Sequence, residues 1–187
     1  MKTEKLSLVD ISQIALFTAL IAVMAQISIP LPGGVPLTLQ TLAIPLAGLV
    51  LGPKKGTLST IVYVLLGAVG APVFANFTGG IGIVLGMTGG FLLSFPIMAL
   101  LAGFASGKNA KSPILWMWLL AGAVINYIVG TLWFMFAAKA NLMGALTACV
   151  IPFIPTAIIK MILAGMLGPM LRGVLIKSNL LKPVKSE

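Results

Sequence analysis

The sequence has no histidine, a single cysteine (Cys149) and only three acidic residues, Glu4, Asp10 and Glu187, in 187 positions. One cysteine builds no disulfide framework, and without histidine neither a zinc site nor a His-based triad has its members. No metal or cofactor is therefore expected. The three acids lie at or beyond the ends of the apolar runs, so a carboxylate or imidazole proton relay inside a membrane has no members either. An intramembrane hydrolase fails for the same reason, lacking a base or a metal ligand. Charged residues make up 8% of the chain, against about 25% in soluble domains. That is too little to wet a globular surface, and a soluble enzyme is excluded.

What is present is apolar. Hydrophobic residues reach 59% and the mean hydropathy is +1.15, which excludes a disordered chain. The net charge is +9, but the basic residues are scattered between apolar blocks, so no nucleic-acid partner is expected. The nearest approach to a phosphate loop is Gly103-Phe104-Ala105-Ser106-Gly107-Lys108-Asn109. Its glycine spacing is one residue short, and Asn stands where Ser or Thr must hold magnesium. The chain is no ATPase. It reads as one transmembrane domain, residues 1–187, embedded in a lipid bilayer.

A bilayer core asks for roughly 20 apolar residues per helix. The expected spans are Ile11–Ile29, Leu37–Leu51, Thr57–Gly70, Thr88–Ser106, Ile114–Ala138 and a sixth from near Leu146 to near Arg172. The length of the first and its missing small-x-small cleavage site argue against a removed signal peptide. Pro30–Pro36 breaks the chain after it, because three prolines and two glycines cannot continue a helix. The second and third spans are short, and loop charges test them. With six crossings and an inner N-terminus, the inner side receives Lys2, Lys5, Lys54, Lys55, Lys108, Lys111, Arg172, Lys177, Lys182 and Lys185, ten of the twelve basic residues. The outer loops receive only Lys139. This asymmetry predicts both termini on the cytoplasmic side.

Lys160 is the remaining charge. In a sixth span starting near Leu146 it sits about fourteen residues in, roughly 21 Å along the helix. No acid in the spans neutralises it. It is either a snorkelling lysine in a water-filled vestibule or a cation awaiting an anionic ligand. Asn126, on the preceding antiparallel span, is expected at similar depth, as helix–helix glue or as a hydrogen-bonding group for a polar ligand. Tyr127 beside it packs or donates its hydroxyl. The uncharged outer segments around Pro36–Thr41 and Pro72–Gly80 are rich in Thr, Asn, Gln, Phe and Gly; they form a lid over a small amphiphile or dip into the interface. Small residues at four-residue spacing (Ala15/Ala19, Gly48/Gly52, Gly82/Gly86/Gly90) permit close helix approach.

Three runs go further: PLTLQTLAIPLAGLVLGPKKG (Pro36–Gly56), GAVGAPVFANFTGGIGIVLGMTGGF (Gly67–Phe91) and PFIPTAIIK (Pro152–Lys160). Together they resemble the BioY family, the biotin-specific substrate-binding (S) component of energy-coupling factor (ECF) transporters. The resemblance spans essentially the whole chain. It implies an all-α bundle of six transmembrane helices in the plasma membrane that captures biotin from outside. It also implies association with a transmembrane coupling subunit and two ATPase subunits. In related S components an Ala-x-x-x-Ala pattern on the first helix contacts the coupling subunit, and Ala15-Leu16-Phe17-Thr18-Ala19 matches it. On this reading Lys160 takes the biotin carboxylate. Asn126, with Gln40 or Asn76, meets the ureido group, Phe74 and Phe77 cover the apolar body, and Thr38 and Tyr127 complete the set. Other readings are an S component for a different small vitamin or a ligand-free structural subunit. In one respect the chain departs: the family's Pro-Gly-Asp-x-x-Lys segment is here Pro155-Thr156-Ala157-Ile158-Ile159-Lys160, with lysine kept and Ala157 where aspartate is usual.

Overall fold

The computed structural model describes residues 6–181, so the basic residues Lys2, Lys5, Lys182 and Lys185 lie outside the described part. Eight α-helices are present there: α1 (Leu8–Gln26), α2 (Gln40–Leu51), α3 (Pro53–Ala68), α4 (Ile81–Leu85), α5 (Gly89–Phe104), α6 (Pro113–Ala138), α7 (Leu142–Cys149) and α8 (Ile154–Lys177). Two short strands, β1 (Ser28–Ile29) and β2 (Leu37–Thr38), pair antiparallel across the proline-rich Pro30–Pro36 segment. Three helical runs are long and apolar enough to cross a bilayer: Leu8–Gln26, Pro113–Ala138 and Leu142–Lys177. Gln40–Leu51 and Gly89–Phe104 are apolar but shorter.

Local chemistry sets the boundaries. Ser7 and Asp10 form a capping box at the start of α1: the Asp10 amide donates to the Ser7 hydroxyl at 3.2 Å and the Ser7 amide to the Asp10 carboxylate at 3.0 Å. Gly52, at φ 88°, turns the chain between α2 and α3, a left-handed conformation that glycine adopts without a Cβ clash. Pro53 then opens α3 at a position where a missing N–H is harmless.

The helix α2 is the central post, with eleven of its twelve residues buried. It packs against α1, α3, α5 and α8. Gly48 allows this, because a Cβ there would run into the Ala99 carbonyl and the Gly103 amide of α5. Large apolar side chains such as Leu8, Leu16, Val23, Met117, Leu132 and Phe136 are exposed around the outside. A soluble monomer does not display such a belt. A bilayer solvates it.

Two expectations change. The expected sixth span, from near Leu146 to near Arg172, is not one unbroken α-helix. The chain makes α7, passes through a tight turn at Ile151–Phe153 and begins α8 at Ile154. Pro152 and Pro155 fall in the first turns of new helical segments, where proline is tolerated, so they mark a break and not a kink. Lys160 is consequently the seventh residue of its helix, within the Leu142–Lys177 run that is long and apolar enough to cross a bilayer. Arg172, expected in an inner loop, lies inside α8, buried and donating to the Val50 carbonyl.

Candidate functional site

A cavity of about 220 Å³ lies between the N-terminus of α2, the middle of α6, the start of α8 and the loops before α2 and α4. Its polar lining is Thr38, Gln40, Thr41, Asn76, Thr78, Thr88, Asn126, Tyr127 and Lys160. Phe74, Phe91, Phe95 and Phe153 supply aromatic walls.

One end is cationic. Lys160 is 7% exposed, and its ammonium donates to the Thr38 carbonyl and the Thr41 hydroxyl, both at 2.9 Å. An ammonium has three N–H donors, so one remains. Thr38 and Thr41 flank the start of α2, where unsatisfied amides and the helix dipole add positive potential. Among the described residues the only acid is Asp10, and it pairs with Lys55 at 2.8 Å. Lys160 thus has neutral oxygens but no carboxylate. A buried, incompletely neutralised cation beside a helix N-terminus attracts an anion.

Elsewhere the lining is a hydrogen-bond acceptor. The Asn126 side-chain nitrogen donates to the Phe91 carbonyl at 3.1 Å and to the Ser94 hydroxyl at 2.8 Å. Both N–H groups are engaged on α5, which leaves the amide oxygen for a ligand N–H. The amide is therefore glue and lining at once.

A loop forms one wall of the cavity. Phe74, 1% exposed, packs its ring on Gly67 and edge-on to Tyr63, with centroids 5.6 Å apart. The following residues turn back on themselves: Phe74 and Thr78 form an isolated antiparallel bridge, with Asn76 at φ 57° and Phe77 at φ 55°. Positive φ is unusual for non-glycine residues and must be held from outside. Gln26, at the end of α1, does so. Its amide nitrogen donates to the Val73 and Phe74 carbonyls at 3.2 and 3.1 Å, and its oxygen accepts from the Phe77 amide at 2.8 Å.

Seven of the eight expected ligand-site residues, Lys160, Asn126, Gln40, Asn76, Tyr127, Phe74 and Thr38, line this one cavity. Phe77 does not: the left-handed turn points it outward, and it is 72% exposed. Ala15 and Ala19 lie on the exposed face of α1. Sequence reasoning missed Thr41, Ser94 and Gln26. Ser94 and Gln26 are uncharged polar residues in apolar runs, which is the signal that would have found them.

The comparisons with known proteins agree with one another. The BioY family model matches residues 1–177. A Pyrococcus horikoshii protein named "Probable biotin transporter BioY" is 44% identical over 167 residues, covering 88% of this chain and 96% of that one. A Thermotoga maritima "Biotin transporter BioY" is 41% identical over 157 residues, covering 82% and 89%. A crystal structure described as the S-component for biotin from an ECF-type ABC transporter superposes with a TM-score of 0.78 at 32% identity, covering 88% of this chain and 90% of that one. With the matching run extending from the first residue to the end of α8, the chain belongs to the BioY family.

Proposed function

We propose that this protein captures biotin in the outer half of the membrane and delivers it for uptake as the S component of an ECF-type transporter. The observation that carries the reading is Lys160, a buried ammonium with no carboxylate partner among the described residues, facing a cavity with aromatic walls. Biotin combines what such a cavity lacks: a carboxylate for Lys160 and Thr41, ureido N–H groups for the Asn126 oxygen, and an apolar ring and chain for Phe74, Phe91, Phe95 and Phe153. Family membership supports the same ligand. Ala157, where the family usually carries an aspartate, leaves Lys160 without an acid one turn away, so ligand carboxylate and lysine meet without a competitor.

In this reading six helical crossings (α1, α2, α3, α5, α6 and α8) place both termini in the cytoplasm of a plasma-membrane protein. The charge asymmetry of the loops supports that orientation. The short α2 and α5 cross where the bundle and a thinned bilayer accommodate them. The exposed Ala15/Ala19 face of α1 receives a helix of the transmembrane coupling subunit, and the two ATPase subunits supply the hydrolysis this chain has no motif for. Mass spectrometry of small molecules released from the purified protein tests the ligand. Biotin in stoichiometric amount supports the reading; a different vitamin, or none after incubation with biotin, contradicts it.

A further inference from the structure

Tyr63 is fully buried on α3 and does not line the cavity, yet it touches two residues that do. Its ring meets Phe74 edge-on at 5.6 Å and 79°. Its hydroxyl accepts the Gln40 side-chain N–H. The other end of the same amide accepts the Thr38 hydroxyl at 2.8 Å, and the Thr38 carbonyl in turn accepts from Lys160 at 2.9 Å. A chain of contacts therefore runs from the buried phenol through Gln40 and Thr38 to the cation. A primary amide offers two N–H donors and a carbonyl with two lone pairs. With one donor on Tyr63 and one lone pair on Thr38, Gln40 is pinned at both ends and keeps one donor and one lone pair for a ligand. Without the phenol, nothing among the described hydrogen bonds holds the nitrogen end.

We propose that Tyr63 is a positioning residue for ligand capture: its hydroxyl fixes the Gln40 amide in the cavity wall while its ring backs Phe74. This rests on the biotin reading for its ligand, but not for its geometry. Tyr63→Phe keeps the ring and deletes only the hydroxyl, so it separates the two contacts.

The test is a thermodynamic cycle on the full-length protein in lipid nanodiscs, with biotin as the probe. Tyr63→Phe is expected to weaken biotin binding about tenfold, the effect of one buried hydrogen bond. In a Gln40→Ala background the same substitution should weaken binding less than about twofold, because residues acting as a unit are not additive. A further tenfold loss in that background would overturn the proposal, as would unaltered binding by Tyr63→Phe alone. Where Gln40→Ala binds too weakly to close the cycle, the ¹⁵N-labelled side-chain amide resonances of Gln40 in ligand-free protein decide. They must shift in Tyr63→Phe, and unmoved resonances would overturn the proposal. If the unaltered protein does not bind biotin, the functional reading fails, and the amide resonances still judge Tyr63.

Discussion

Gln26 shows how one side chain can hold a lid. Its amide spans the Ala22, Val73 and Phe74 carbonyls and the Phe77 amide, so the end of α1 is stitched to the turn that roofs the cavity. Gln26→Leu keeps the volume and deletes all of these bonds. Biotin dissociation should accelerate about tenfold, the effect of one or two hydrogen bonds, while association changes little. Rapid-dilution release of radiolabelled biotin reads the rate, and unchanged release would mean the turn is held by other contacts. Lys160 and Asn126, which line one cavity, could be singled out from the sequence because a charge and an amide stand out in apolar runs. The outward placement of Phe77 was not: its direction depends on two successive positive-φ residues, a backbone choice that Asn76 tolerates but Phe77 does not announce.

Among the elements, α2 and the break before α8 decide the site. The close packing of α2 on α5 has a direct consequence for stability. A methyl at Gly48 would press on the Ala99 carbonyl and the Gly103 amide. Both are backbone atoms that cannot step aside. Gly48→Ala should therefore destabilise the fold by about 1–3 kcal/mol, as overpacking does, seen as a lower melting midpoint in detergent. A wild-type midpoint would show that the helices can separate freely.

The segment leading into α5 offers a reporter of closure. A Cβ at Gly79 would strike the Ala71 carbonyl, whereas Gly82 faces open space. A spin label at Gly82→Cys, with Cys149 replaced, should lose mobility in proportion to biotin saturation. A spectrum indifferent to saturating biotin would mean this segment does not close. Hydropathy made the helices at five of the six expected spans legible to within a few residues. The division of the last into α7 and α8 was hidden, because Pro152 and Pro155 are compatible with a kinked helix and with a fresh start.

In the proposed reading the whole molecule presents two surfaces with different tasks: a ligand cavity built from loops and helix ends, and the exposed α1 face carrying Ala15 and Ala19. They share no residue. Substitutions on one should spare the other. Ala15→Leu or Ala19→Leu adds bulk where a partner helix would approach. Biotin binding by the isolated subunit should persist within about twofold, whereas ATP-driven uptake by the reconstituted complex should fall at least about tenfold, as expected when close helix packing is lost. Uptake at the wild-type rate would assign that face to lipid.

The central claim is that the Lys160 ammonium receives the ligand's carboxylate, and one titration series addresses it. Biotin and biotin amide differ only at that group, and Lys160→Met removes the ammonium while keeping an apolar stem. Calorimetry on both proteins with both ligands should show biotin bound at least about tenfold more tightly than the amide by the wild type, the strength of one charge-assisted hydrogen bond. In Lys160→Met that preference should vanish, with amide affinity nearly unchanged. Equal losses for the two ligands in Lys160→Met would contradict the account and make Lys160 a structural residue.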